Sequence, residues 1–151
     1  MTGELNREQI DNLLRSQVLG RLGCQANGQV YVVPITYAYD GEYLYLHTKE
    51  GLKTELMRAN PQVCFEVDHI ENMANWQSVI FRGTYEELEG EEADNALRYL
   101  SNRMVPLVTS ETYRPHYGLH QKPAGRMDAR TKMVVFRIKM DQATGRYEKS
   151  Q

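Results

Sequence analysis

The sequence of 151 residues is 41% apolar and 25% charged, close to the average of globular proteins, which argues against disordered, collagen-like and coiled-coil classes. Its length predicts one domain spanning residues 1–151. Its 18 Lys and Arg residues against 20 Asp and Glu residues give a net charge of −2, so the chain lacks the basic field that supports nucleic-acid binding.

The two cysteines indicate the compartment. Cys24 and Cys64 are too few for a disulfide framework and lack the spacing of a structural zinc site. We therefore expect a reducing, cytoplasmic environment and no metal, and we expect both cysteines to be small buried apolar side chains. No stretch approaches the roughly 18 apolar residues of a membrane span.

The first half of the chain predicts a short helix and then an antiparallel meander. Apolar residues at helical spacing predict a helix over Asn6–Arg15, in which Asn6 and Gln9 form a capping box. Asn27–Gly28 and Asp40–Gly41 are dipeptides typical of tight hairpin turns. The turns separate three predicted strands, Val18–Gln25, Val30–Tyr39 and Glu42–Thr48.

Pro34 lies inside the second of these strands, although proline has no N–H to donate to a neighbouring strand. Its position predicts a sheet edge, a bulge or a place where another group approaches the backbone.

The second half of the chain predicts strands with helices inserted between them. Gly51 and Asn60–Pro61 bound a short helix that begins at Leu52. The further predicted elements are strands over Val63–Asp68, Ser78–Leu88 and Met133–Met140, a polar loop over Ile70–Asn75, and a helix over Glu91–Arg103. Six strands joined mostly by hairpins predict a mainly β fold with added helices, a small antiparallel barrel, in preference to a doubly wound α/β fold.

The segment from Thr48 to Lys53 is the strongest candidate for a binding site. A strand ends in a hydroxyl residue, the chain turns through Gly51, and a helix carrying Lys53 begins. Free N–H groups and the positive end of the helix dipole favour an anion such as phosphate. His116 and His120 stand four residues apart, but Pro115 and Gly118 argue against a helix there, so we interpret them as loop histidines and not as metal ligands.

Five segments of the chain resemble, in order and spacing, the pyridoxamine 5′-phosphate oxidase-like flavin-nucleotide-binding proteins. The similarity is to the branch that contains the nitroimidazole-resistance proteins. The match runs from about Asn6 to Leu100 and is weaker over Met133–Arg146. The five segments are Gly20–Gly23, Tyr31–Tyr37, Leu44–Thr48 together with Lys53, Asn60–Phe65 and Ser78–Gly83.

The resemblance implies an FMN-binding split β-barrel, six-stranded and of Greek-key type, that forms a homodimer with FMN at the subunit interface. It also implies the roles of eight residues toward FMN. Val33, Pro34, Ile35 and Thr36 would lie along the isoalloxazine ring, His47 and Thr48 would contact the ribityl chain and phosphate, Lys53 would pair with the phosphate, and Ser78 would reach the ring or phosphate from a neighbouring strand.

The sequence departs from this family's pattern at two places. Many relatives carry a second basic or imidazole residue where Leu52 stands, which implies weaker phosphate binding here. No equivalent of the C-terminal Arg and His pair of the true pyridoxamine phosphate oxidases follows Met133, which argues against pyridoxamine oxidation.

The function that the resemblance implies is that of an FMN-dependent oxidoreductase reducing a small electron acceptor, for example a nitro compound. Three alternatives remain at this stage. The chain could be a flavin store or redox sensor without turnover, a barrel that binds haem or a deazaflavin, or an interaction domain. The sequence identifies no catalytic residue.

Overall fold

A computed structural model describes residues 1–104 and 132–151 of the chain. In this part the fold is mainly antiparallel β-sheet with three helices. The strands are β1 (Thr2–Glu4), β2 (Leu19–Ala26), β3 (Gln29–Thr36), β4 (Ala38–Tyr39), β5 (Tyr43–Lys49), β6 (Gln62–Asn72), β7 (Asn75–Leu88) and β8 (Met133–Glu148), and the helices are α1 (Arg7–Ser16), α2 (Leu52–Ala59) and α3 (Gly90–Met104). No helix of these residues is long and apolar enough to cross a membrane.

The strands form one curved sheet in the order β3-β2-β6-β7-β8-β5-β4, with β1 paired to β8. The long strand β8 pairs with β7 along most of its length, with β5 over its first half and with β1 near its end. Within the described residues the sheet is not closed, because β3 and β4 are its two edges. The architecture is consistent with the predicted split barrel.

The concave side of the sheet holds the core. Tyr37, Phe65, Phe81 and Phe136 are almost completely buried there. The ring centroids of Phe65 and Phe81 are 5.5 Å apart, and Tyr37 meets Phe65 edge to face at the same distance. Contacts of this kind add to the stabilisation from apolar burial.

Helix α1 packs against this core with its apolar face. Its buried residues are Ile10, Leu13 and Leu14. The side chain of Asn6 accepts a hydrogen bond from the Gln9 N–H at 2.9 Å, and the Gln9 side chain accepts one from the Asn6 N–H at 2.8 Å. The predicted capping box is confirmed.

The convex side of β3, β2, β6 and β7 is only partly covered in a single chain. We call it the outer face and define it by the outward side chains Leu19, Arg21, Val30, Val32, Pro34, Cys64, Glu66, Asp68, Ser78 and Ile80. It arises from strict alternation, since Val63, Phe65 and Val67 of β6 point into the core. Cys64 is therefore exposed, and its predicted burial is wrong, whereas Cys24 is buried as predicted.

The described residues form eight strands, where six were predicted for the chain. The predicted strand Val30–Tyr39 is interrupted at Tyr37, whose N–H donates to the Val18 carbonyl at 3.0 Å, so that β3 and β4 are separate. The other addition is β1, which has only three residues and pairs with the end of β8. A strand this short carries no periodic signal in the sequence.

Three predicted strands are also longer than expected. The predicted loop Ile70–Asn75 is wrong, because β6 continues to Asn72 and β7 begins at Asn75. Strand β8 extends beyond Met140 to Glu148. The polar residues of these extensions are held in strands by cross-strand pairing, which sequence periodicity does not detect.

Candidate functional site

The predicted ring-binding segment lies at an open edge of the sheet. Residues Val33 to Thr36 belong to β3, which pairs with β2 on one side only. Pro34 is opposite Arg21 and is exposed. Of the three alternatives predicted for Pro34, the structure shows the sheet edge and no register shift between β2 and β3. Proline, which has no N–H to donate, is tolerated on an edge strand.

The predicted phosphate segment lies where β5 ends and α2 begins. Thr48 is buried, and its hydroxyl donates to the Lys49 carbonyl at 3.1 Å. Gly51 caps α2: its N–H donates to the Thr54 hydroxyl at 2.9 Å, and that hydroxyl donates back to the Gly51 carbonyl at 2.8 Å. The local structure is the strand, glycine turn and helix that were predicted.

The start of α2 has free hydrogen-bonding capacity. The first hydrogen bond within the helix runs from the Glu55 N–H to the Gly51 carbonyl, at 3.1 Å. The N–H groups of residues 52–54 therefore have no partner within the helix. Together with the helix dipole they favour an anion at this end.

The cations of this helix differ in whether they already form an ion pair. Among residues 1–104 and 132–151, Lys53 makes no ion pair or hydrogen bond. Its charge acts on Cys24 of β2: burial raises the pKa of the Cys24 thiol, and the Lys53 amine opposes that rise. Cys24 lies on the strand against which α2 packs, so the Lys53 amine lies near β2.

Arg58, the other cation of α2, is already neutralised. Its guanidinium donates to both oxygens of Glu87, from Nε at 2.8 Å and from Nη2 at 3.2 Å, and from Nη1 to Glu50. These contacts raise the pKa of Arg58 and hold the pKa of Glu87 below its usual value. Of the two cations on α2, Lys53 is the one available to a ligand.

His47 and Thr48 project from opposite faces of β5, as successive strand residues do. Thr48 points into the core, whereas His47 is half-buried on the face that α3 partly covers and pairs with Val135 of β8. One bound group can therefore contact both residues only at the end of the strand.

Ser78 is distant from the other predicted residues within one chain. It lies on β7 opposite Asp68, whereas the ring-binding segment lies on β3, beyond β6 and β2. Three strand spacings of about 4.8 Å separate β7 from β3 by about 14 Å. The fold thus places Lys53 near β2, the neighbour of β3, but does not bring Ser78 close to the ring-binding segment.

Ser78 belongs to a polar cluster on the outer face. Its hydroxyl donates to Glu66 Oε2 at 3.2 Å, and Arg21 Nη1 lies 3.6 Å from Glu66 and 3.3 Å from Asp68. Burial, followed by the neighbouring Asp68 carboxylate, raises the pKa of Glu66 to about 7, against the smaller opposing effects of Ser78 and Arg21. Glu66 therefore carries a proton for part of the time at neutral pH.

Sequence reasoning did not find this cluster. The available signal was the Glu66-x-Asp68 alternation, which places both carboxyl groups on one face of a strand. Arg21 could not be assigned to them because the pairing of β2 with β6 is non-local.

Two surface cavities are lined by other residues than the eight predicted ones. One, of about 260 Å³, lies beside Trp76 and Tyr147. The second, of about 290 Å³, lies between α3 and β5, beside Tyr45 and Tyr99. Trp76 donates from Nε1 to Glu148 at 3.2 Å. His116 and His120 lie outside the described residues.

Comparisons with known proteins agree with this architecture. The crystal structure of an FAD-binding protein from Mesorhizobium loti is 31% identical, covers 99% of this chain and 98% of its own, and has a TM-score of 0.74. A candidate 5-nitroimidazole antibiotic resistance protein from Bacteroides thetaiotaomicron is 24% identical, with coverage of 97% and 87% and a TM-score of 0.70.

Sequence comparison identifies the family. The uncharacterized protein RA0666 of Rhizobium meliloti (strain 1021) is 30% identical over 142 residues, which are 94% of this chain and 92% of that protein. The model of the family described as pyridoxamine 5′-phosphate oxidase matches residues 6–147. The chain therefore belongs to the pyridoxamine 5′-phosphate oxidase-like family.

Proposed function

We propose that this chain binds FMN and acts as an oxidoreductase that passes electrons to a small acceptor, nitro compounds being one class. The observation that carries the proposal is the amine of Lys53, which has no ion pair among residues 1–104 and 132–151 and stands beside the unpaired N–H groups that begin α2. A phosphate monoester matches a cation next to such a helix start.

The ring of the flavin is assigned to the open edge of β3. Alternate N–H and C=O groups of an edge strand point away from its one neighbour and are free to hydrogen-bond a ligand. Val33, Pro34, Ile35 and Thr36 follow that edge. The 31% identical Mesorhizobium loti protein is named as FAD-binding, which supports a flavin here. FMN and FAD share the riboflavin and its first phosphate.

The remaining predicted residues complete the assignment. His47 and Thr48 stand at the end of β5, directly before the turn into α2, and are assigned to the ribityl chain and phosphate. Ser78 lies too far from β3 to reach the same flavin from its own chain. We therefore assign Ser78 to a different flavin, one whose other contacts come from a second copy of the chain.

A homodimer would place Ser78 in that position. The outer face exposes four apolar side chains, Val30 (73%), Val32 (64%), Ile80 (48%) and Leu19 (43%). Apolar groups gathered on one sheet face are typical of a surface that meets a partner. A two-fold symmetric pair would bury them and would bring each Ser78 toward the other chain.

Bound flavin would supply the electron transfer, and the protein would supply position and electrostatics. The phosphate contacts at α2 fix the ligand at one end, while β3 aligns the ring along its edge. The proposal assigns no catalytic acid or base to the protein, and the protons that reduction of a nitro group consumes would come from solvent.

The test is a binding and reduction experiment on the purified full chain. Co-purified ligand is identified by mass spectrometry, and FMN, FAD and riboflavin are then titrated and followed by flavin fluorescence. FMN should bind at micromolar concentration or below, one per chain, and more tightly than riboflavin. Absence of binding at micromolar FMN would contradict the proposal.

The oxidoreductase part is tested separately. Under anaerobic conditions NADH or NADPH is added to the FMN-loaded protein, and a nitro compound follows. Bleaching and recovery of the flavin absorbance are expected. Flavin that binds but is not reduced by either donor would assign the chain to storage or sensing.

A further inference from the structure

Arg58 links the last turn of α2 to two acidic residues from different parts of the chain. It holds Glu87 of β7 through two hydrogen bonds, at 2.8 and 3.2 Å, and it also donates to Glu50. Glu87 is further fixed by the Tyr85 hydroxyl, which donates to its Oε1 at 2.6 Å. Arg58 thus brings the Glu50 carboxylate to a position that is anchored on the sheet.

Glu50 lies within the segment of the candidate phosphate site. It lies in the turn between Thr48 and Lys53, directly before the helix start that attracts an anion. Its backbone is fixed by a hydrogen bond from its N–H to the Lys132 carbonyl at 2.9 Å. Its side chain, however, is a carboxylate only two residues before the start of α2 and three before Lys53.

A carboxylate at this position would interfere with a bound phosphate in two ways. It would repel the phosphate directly, since both groups are negative. It would also compete for Lys53 and for the N–H groups of the first turn, which stabilise any nearby anion. The first requirement of a phosphate site here is therefore that Glu50 be directed elsewhere.

Arg58, and not Lys53, is the cation that holds this carboxylate. Arg58 stands six positions after Leu52, the first residue of α2, which places their backbones about 9 Å apart along the helix axis. The Glu50 carboxylate is thus held and neutralised by a guanidinium that belongs to the last turn of α2. Lys53 remains without an ion pair among the described residues.

We infer that Arg58 is a positioning residue of the phosphate site, which holds and neutralises the Glu50 carboxylate and so leaves Lys53 available for the phosphate. The inference rests on the proposed function and adds to it a residue that does not touch the ligand. It differs from a simple structural role, in which Arg58 would only fasten α2 to β7.

A variant without the Glu50 charge distinguishes the positioning role of Arg58 from a purely structural one. The variants are Arg58→Ala, Glu50→Gln and the double variant, with Arg58→Lys as the conservative change that keeps the charge but not the two-pronged geometry. Each is checked for folding by circular dichroism and thermal unfolding. FMN and riboflavin affinities are measured side by side, because riboflavin lacks the phosphate.

Arg58→Ala should weaken FMN roughly three- to tenfold and leave riboflavin unchanged. In the double variant FMN affinity should return to within about twofold of wild type. Arg58→Lys should fall between wild type and Arg58→Ala, and raised salt should reduce every difference. A double variant as weak as Arg58→Ala, or equal losses for both ligands, would overturn the inference and leave Arg58 as a structural anchor.

A flavin-free measurement separates this inference from the proposed function. Inorganic phosphate is titrated into each variant, and the backbone amide NMR signals of residues 52–54 are followed. If wild type binds phosphate but no flavin, the proposed function fails, and the order of the four variants toward phosphate still decides the role of Arg58. If wild type shows no phosphate shift at these amides and no preference for FMN over riboflavin, the inference is overturned with the site.

Discussion

Ser78 and Glu66 are joined across β6 and β7 by a hydrogen bond of 3.2 Å from the serine hydroxyl to Oε2. The residue assigned to the flavin is therefore attached to a carboxyl group whose pKa is raised to about 7. Desolvation is the largest cause of that rise, and the adjacent Asp68 carboxylate adds to it. The outer face consequently changes its charge near neutral pH.

The first prediction is that Glu66→Gln stabilises the protein above neutral pH. The folded protein keeps a proton on Glu66 up to about pH 7, whereas the unfolded chain releases it near pH 4.5. The folded state thus binds more protons between these values, and the free energy of unfolding falls as pH rises through that window. Glutamine resembles the protonated acid and escapes this loss.

Urea unfolding at pH 5 and pH 8 measures the effect. The variant should match wild type near pH 5 and exceed it at pH 8 by on the order of 1–3 kcal/mol. Glu89→Gln is the control, since Glu89 is exposed and makes no ion pair among residues 1–104 and 132–151. Equal gains at both pH values would mean that Glu66 is ionised throughout.

The second prediction concerns the phosphate contact of Lys53. Lys53→Ala removes a charge-assisted contact worth on the order of 1.5–3 kcal/mol, so FMN affinity should fall about 10- to 150-fold. Riboflavin affinity should change little, because riboflavin has no phosphate. Folding should survive, since alanine favours the helix. Parallel titration of the two ligands measures the contrast.

Lys49→Ala provides the matched control for that contrast. Lys49 is exposed at the end of β5 and makes no ion pair among the described residues. Its loss should leave the preference for FMN intact. An effect at Lys49 and none at Lys53 would keep the turn as the phosphate site but reassign the charge.

The third prediction is that Val32→Glu prevents dimerisation. Val32 is 64% exposed at the centre of the outward row of β3. A carboxylate there would be buried against a second copy and would be repelled by the acidic side chains of the outer face. Analytical ultracentrifugation should find wild type as a dimer and the variant as a monomer with weaker FMN binding. Asn95→Glu adds the same charge on α3 and should remain dimeric.

A wild-type monomer that still binds FMN would contradict the interface assignment. In that case Ser78 could not reach the flavin of a neighbouring copy, and its assigned role would fail with the dimer. The role of Lys53 would stand, since it depends on residues of one chain.

The sequence predicted those parts of the fold that local interactions determine. The Asn6 and Gln9 capping box, the Asn27–Gly28 turn and the α2 helix each depend on residues within a few positions of one another. Asn27 and Gly28 both have positive φ angles, 53° and 79°, as the predicted turn requires. Such features are visible in one sequence.

Features that depend on distant pairing could not be predicted in the same way. The strand β1 exists because β8 continues far enough to pair with it, and the interruption at Tyr37 depends on the carbonyl of Val18. In the candidate site, Lys53 follows from local pattern. The neutralisation of Arg58 does not, because Glu87 lies 29 residues away.

The fourth prediction concerns Gly83, which ends the last of the family-like segments. It lies at a register shift between β7 and β8, where Arg82 pairs with Gln142 but Gly83 pairs with Met140. A Cβ atom built on Gly83 would stand 2.5 Å from the Lys139 carbonyl oxygen and 2.5 Å from Cγ2 of Ile138. The carbonyl is backbone and cannot move without disturbing the sheet.

Gly83→Ala should therefore destabilise the fold by roughly 1–3 kcal/mol or more, as overpacking of a dense interior does. Gly23→Ala is the matched control, because a Cβ there would meet its neighbours at ordinary distances of 3.6–3.9 Å. Both are strand glycines, so the gain from lower chain entropy in the unfolded state is the same for each. The difference between the free energies of unfolding of the two variants, measured in urea, thus isolates the contact with β8. A Gly83→Ala protein as stable as Gly23→Ala would contradict the prediction and show that β7 and β8 can move apart at the register shift without loss of stability.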